Sequence, residues 1–199
     1  MIAELLQPGM SGADLCDTGQ ALALHPGEDI HVARAAEKRR RDFALGRTCA
    51  RAALASLGHG EAAIAIGEDG APVWPQDILG SITHTSLYAA AVASEARRFA
   101  GLGIDAERVG GVTPKLWPRL FNAAEQAQLS GRADADVAAT LLFSAKEAAF
   151  KAMRLRGALA FRDIAIDLGE GGFTAEHVGK RLSGRFAVAG NLVLTLAWL

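Results

Sequence analysis

Phe143–Lys151 reads FSAKEAAFK. The run has no glycine or proline and is rich in alanine, which predicts a helix. On that helix Phe143, Glu147 and Lys151 fall at i, i+4 and i+8 and share one face, with Lys146 on the adjacent face. Taken alone, an acid and a base one turn apart are an ordinary solvated pair. A second acidic stretch, GIDAE at Gly103–Glu107, lies in a predicted strand, Leu102–Glu107. Asp105 and Glu107 sit at i and i+2 there, so both side chains leave the same face. Neighbouring carboxylates repel unless a cation lies between them, and oxygen-only ligation by two or three carboxylates suits Mg²⁺. Glu147 would be the third carboxylate. For a bare D-x-E the commoner reading is structural, with Glu107 paired to a base such as Arg108.

Outward from these two stretches, the helix runs over Val137–Arg156 and closes at Gly157. Asn122 with Glu125 three residues later starts a shorter helix ending near Leu129, and Thr113-Pro114 is another helix start. Asp163–Leu168 alternates as a strand. Arg185–Ala189 and Leu192–Trp198 flank Gly190-Asn191, a two-residue hairpin turn. Towards the N-terminus, residues 1–30 read as a short strand or two joined by loops. His31–Leu57 is a long helical pattern ended by Gly58. It carries an apolar stripe (Phe43, Ala50, Leu54, Leu57) beside a stripe of Arg40, Arg47 and Arg51. No acid at i+4 pairs these arginines, so the stripe reads either as a solvated face or as a phosphate-binding one. A strand at Ala62–Gly67, the extended segment GAPVWP (Gly70–Pro75) and GSITH (Gly80–His84), leading into a strand at Leu87–Ala93, complete the chain. His84 is either a hydrogen-bonded core histidine or a phosphate contact or proton relay.

Ile64–Gly70 (IAIGEDG) resembles Ile166–Gly172 (IDLGEGG), and each follows a long helix ended by glycine. This predicts an α+β protein of two similar subdomains, residues 1–100 and 101–199, packed as a pseudo-twofold intramolecular dimer. A separate partner subunit is then unnecessary, so a monomer is expected. The chain has 199 residues, 22% charged and 50% hydrophobic, with a net charge of −1. It therefore has no bulk field for nucleic acid or a membrane surface. Seven basic residues against two acidic ones lie between Arg34 and Arg51, but no aromatic–basic interleaving accompanies them. Cys16 and Cys49 have no metal spacing and read as buried thiols. Neither a leader pattern nor a long apolar span is present, and a cytoplasmic location is expected.

The order G-x-P-x-x-P, S-I-T-H-T, G-I-D-x-E, F-S-x-K-E-x-x-x-K resembles the phosphopantetheinyl transferases of the long, pseudo-dimeric type that activates enterobactin and surfactin synthetases. The resemblance covers roughly Arg40–Lys151, and RRRDFALGRTCARAALASLG with GAPVWP is similar to the enterobactin branch. It implies transfer of the 4′-phosphopantetheine arm of coenzyme A to a serine of an apo carrier protein, acyl, peptidyl or aryl, in siderophore, polyketide or fatty-acid biosynthesis, with release of 3′,5′-ADP and a need for Mg²⁺. It implies Asp105, Glu107 and Glu147 as metal carboxylates, with Glu147 helping to deprotonate the serine. It also implies Lys151 on the pyrophosphate, with Lys146 adding charge, and His84 near the coenzyme A phosphates with Thr83 in place of a serine beside it. Arg40, Arg47 and Arg51 fall where the family holds the 3′-phosphate. Ala71 stands where some relatives carry a lysine. Thr113–Phe121, with Lys115, Trp117, Arg119 and Phe121, is either a carrier-docking surface or a loop buried on the core. Two rival functions are a non-catalytic coenzyme A or carrier-binding module of the same fold, and a metal-dependent phosphohydrolase.

Overall fold

A computed structural model describes residues 1–60 and 62–199, with no account of the side chains of 158 and 159. The first half of the chain builds β1 (Met10–Cys16), α1 (Glu37–Ser56), β2 (Ile78–Thr85) and β3 (Tyr88–Glu95). The second half builds β4 (Leu102–Arg108), α2 (Trp117–Leu120), α3 (Ala123–Leu129), α4 (Ala135–Ala152) and α5 (Ala158–Asp163). Four more strands follow: β5 (Ala165–Leu168), β6 (Gly172–His177), β7 (Lys180–Ala189) and β8 (Leu192–Trp198). The strands form two sheets, ordered β1-β3-β2 and β4-β8-β7-β6-β5, with every neighbouring pair antiparallel. In both sheets the first strand of the half pairs with the last, which pairs with the one before it. The expected internal repeat is thus present in the topology.

Side-chain alternation sets the layers. Along β3, Ala89, Ala91 and Ala93 pack on Leu45, Cys49 and Leu54 of α1, while Tyr88, Ala90 and Val92 face the other sheet. Along β4, Leu102, Ile104 and Ala106 meet that face, together with Leu194 and Leu196 of β8. The opposite face of the second sheet covers α4 through Phe173, Ala175, Leu182 and Ala197. The order is helix, sheet, sheet, helix, so the central strands are apolar on both faces.

Several boundaries differ from expectation. Helix α1 starts at Glu37; Asp29–His31 forms only a single 3₁₀ turn, and extended Ala36 precedes the helix. Gly58 does adopt the left-handed conformation that ends it. The expected strand at Ala62–Gly67 reduces to one bridge, Ile66 with Pro72. GSITH belongs to a strand of its own, β2, and β6 and α5 are additional elements. Asn122 and Glu125 do form the expected reciprocal capping box. Cys49 is buried as expected, whereas Cys16 is exposed at the end of β1.

Candidate active site

The acidic strand reaches its helix because of two glycines. Gly103 lies on the same face of β4 as Asp105 and Glu107, and Gly101, just before the strand, continues that row. A Cβ on Gly103 would stand 1.9 Å from the carbonyl oxygen of Ala148, and one on Gly101 2.1 Å from that of Ala152. The strand backbone therefore lies directly on the backbone of α4. That contact brings Asp105 onto Lys151, whose Nζ donates to Asp105 Oδ1 at 2.7 Å and to the Ile104 carbonyl at 3.0 Å. Thr195, opposite Asp105 in the ladder, donates to the Ser144 carbonyl at 2.9 Å and locks β8 to the same helix.

Asp105 is 4% exposed, and its Oδ2 is buried without a partner. Glu107 is pushed up to about 7, first by burial and then by the charge of Asp105, with Glu147 adding and Lys151 opposing. Glu147 is raised by burial and by Asp105, again against Lys151. The three carboxylates thus feel one another across β4 and α4. Among the described residues no three His, Cys, Asp or Glu side chains converge closely enough to constitute a metal site as they stand. The donor set nevertheless fits a hard cation: all oxygen, short of positive charge, with one buried carboxylate oxygen unpaired.

His84, at the end of β2, belongs to the other half. Its Nε2 lies 3.3 Å from Nη1 of Arg39, and its pKa is lowered by burial, with Arg39 and Lys151 contributing. Arg39 was absent from the sequence-derived arginine stripe, because only the path of β2 brings it to His84. The stripe itself divides. Arg40 stays exposed. Arg47 is 6% exposed, donates to the Ile64 carbonyl at 2.6 Å and lies over the Phe43 ring at 4.2 Å. Burial pulls its guanidinium down to about 10. Arg51 pairs with the buried Glu28 and donates to the Ala23 carbonyl at 3.0 Å. The reading of unpaired arginines is therefore corrected for Arg51: its partner lies 23 residues away rather than at i+4.

Two further expectations meet different geometry. Lys146 is completely buried, ion-paired to Glu125 at 3.0 Å and donating to the carbonyls of Arg162 and Ile164. Its ammonium points away from the carboxylates, because an adjacent helix position faces the core. Thr83 is 4% exposed and turns its hydroxyl towards β4. Within Thr113–Phe121, Phe121 is fully buried and Trp117 packs on the core, while Lys115 and Arg119 are exposed. The aromatic part of the expected docking patch is thus interior.

A cavity of about 800 Å³ opens between the halves. Its walls are Gly70–Trp74, the Leu79–Ile82 stretch of β2 and the end of α4 with Phe150, Lys151 and Arg154. The buried indole N–H of Trp74 has no acceptor. Lys151 belongs both to this cavity and to the carboxylate cluster, and Arg156 bridges the halves to Asp69 at 3.0 Å.

Residues 27–94 match the family described as 4′-phosphopantetheinyl transferase N-terminal domain, and residues 101–197 the 4′-phosphopantetheinyl transferase superfamily. The chain is 41% identical over 152 residues to 4′-phosphopantetheinyl transferase Npt of Nocardia iowensis, covering 76% of this chain and 68% of that one. It is 39% identical over 189 residues to 4′-phosphopantetheinyl transferase Svp of Streptomyces mobaraensis, covering 86% and 77%. With enterobactin synthase component D of Escherichia coli K12 the identity is 34% over 157 residues, covering 77% and 72%.

Proposed function

The chain belongs to the 4′-phosphopantetheinyl transferase superfamily, and we propose that it transfers the arm of coenzyme A in the cleft shared by Lys151 and the Asp105–Glu107–Glu147 cluster. The observation that carries this reading is the buried, unpaired Oδ2 of Asp105 set among two further carboxylates and one lysine. The carrier serine oxygen attacks the β-phosphorus of the pyrophosphate. The bond from that phosphorus to the bridging oxygen breaks, and 3′,5′-ADP leaves with the electron pair. Glu147, made more basic by its burial and its acidic neighbour, takes the serine proton, a contribution of about 10²–10⁴-fold. Lys151 places positive charge beside the phosphates, where negative charge builds up in the transition state. Asp105, Glu107 and Glu147 would hold Mg²⁺, which when bound neutralises phosphate charge.

Residues 1–100 supply the nucleotide side. Arg39 and His84 stand as a basic pair at the open end of β2, with Arg40 exposed on α1; Arg47 and Arg51 shape that side of α1 through Ile64 and Glu28. The inter-half cavity, at a volume usual for small-ligand sites, takes the pantetheine arm, and the free Trp74 N–H suits an amide carbonyl of that arm. Residues 101–199 supply the carboxylates, and exposed Lys115 and Arg119 face an acidic carrier. The protein acts as a monomer in the cytoplasm. The test is an apo carrier panel drawn from fatty-acid, polyketide and siderophore systems. One carrier should gain the mass of one phosphopantetheine, with stoichiometric 3′,5′-ADP; no gain on any carrier, or coenzyme A turnover without a carrier, would overturn the reading.

A further inference from the structure

Strand β4 is the edge of its sheet. Its ladder with β8 uses one row of backbone groups, and the N–H groups of Ile104 and Ala106 point the other way, towards the first half. No strand backbone receives them. Ser81 Oγ accepts from Ile104 N–H at 3.1 Å, and Thr83 Oγ1 accepts from Ala106 N–H at 3.0 Å. Two hydroxyls at i and i+2 on β2 thus take the place of a missing ladder. Both are buried, at 5% and 4% exposure. The Thr83 hydroxyl does more: it also faces Asp105 Oδ1 at 3.4 Å, on the oxygen that receives Lys151.

We propose that Thr83 is a positioning residue for phosphopantetheine transfer, its hydroxyl fixing the register of β4 against β2 and the orientation of the Asp105 carboxylate. This rests on the transfer reading above. It differs from a direct contact with coenzyme A, because the hydroxyl is spent on β4 and the side chain is almost wholly enclosed. The arrangement makes one half's strand the alignment gauge for the other half's acids: the residue beside His84 sets where Asp105 sits. A hydroxyl that both accepts from Ala106 and donates to Asp105 can be replaced by serine but not by the isosteric valine.

Thr83→Val and Thr83→Ser are compared with wild type by carrier mass shift, steady-state kinetics and amide hydrogen exchange. For Thr83→Val, kcat should fall about 10–100-fold, the loss expected for a displacement near 1 Å, while KM for coenzyme A stays within about twofold. Thr83→Ser should return kcat to within about threefold of wild type. The Ala106 amide should be protected in wild type and in Thr83→Ser. Retention of kcat in Thr83→Val overturns the proposal. So does a rise in coenzyme A KM with kcat intact, which marks a direct contact, or a Thr83→Ser as impaired as the valine variant. Should the valine variant not fold, free exchange of Ala106 in wild type, or an impaired serine variant, overturns it equally. An inactive wild type would instead sink the transfer reading.

Discussion

Replacing Gly103 by alanine tests how the acidic strand is seated. The added Cβ would lie 1.9 Å from the Ala148 carbonyl oxygen and 2.7 Å from the Ala152 nitrogen. Both are backbone atoms of α4, so no rotamer change relieves the overlap. Reaching ordinary van der Waals contact requires β4 and α4 to part by roughly 1.5 Å in a close-packed interior. Overpacking of this kind costs about 1–3 kcal/mol, which for a chain of this length lowers Tm by about 2–4 °C per kcal/mol. The same movement carries Asp105 and Glu107 away from Glu147 and Lys151, and a misplacement near 1 Å costs on the order of 100-fold in rate. The assay is holo-carrier formation by mass spectrometry beside a thermal melt. The control is Gly60→Ala, where nothing lies within 4 Å of the added carbon and stability should hold. A Gly103→Ala variant that melts with wild type and turns over at the wild-type rate would refute the seating of β4 on α4.

Glu147→Gln should leave coenzyme A affinity within about threefold but cut kcat by at least 10²-fold, read by calorimetry and single-turnover transfer. Glu107 has a folded pKa near 7 against about 4.5 unfolded, so its contribution is fully present below pH 4.5 and lost as pH rises through 7. Without added divalent cation, stability should therefore decline across that window by up to about 3 kcal/mol, and Glu107→Gln should flatten the decline in urea melts. Chelation of divalent cations should stop transfer, and Mg²⁺ should restore it in a mass-shift assay. Arg39→Ala should raise KM for coenzyme A about tenfold, since it removes the cation beside His84; unchanged KM would remove Arg39 from the phosphate site.

How much of this was legible follows from the range of each interaction. Asp105, Glu107, Glu147 and Lys151 were readable because strand and helix periodicities place them on single faces. The capping box at Asn122–Glu125 and the hairpin turn at Gly190-Asn191 are likewise local. Strand β6 was missed because Gly172–His177 follows a glycine cluster and carries no run of branched residues. The fate of Arg51 and Lys146 was not readable, since their carboxylate partners lie 23 and 21 residues away, in Glu28 and Glu125. Those two glutamates have matching jobs. Glu28 Oε1 accepts from the Ile64 amide and Glu125 Oε1 from the Ile166 amide, the first residues of the two similar segments. The resemblance IAIGEDG to IDLGEGG was visible, but its physical cause, a buried acid stapling each segment, was not. The roles of Gly101 and Gly103 depend on Ala152 and Ala148 of α4, 51 and 45 residues onward, and Arg39 meets His84 only through the path of β2.

The helix–sheet–sheet–helix arrangement repeats one plan twice, yet of the two opening strands β4 turns acids onto its helix, whereas Ala13 and Leu15 occupy the α1 side of β1. In an assembly of identical subunits every substitution would be stamped into all copies at once. Joined in a single polypeptide, the two copies are free to diverge: one can be remodelled while the other keeps its acids in place, so inherited variation in this lineage should accumulate unequally on the two sides of the cleft.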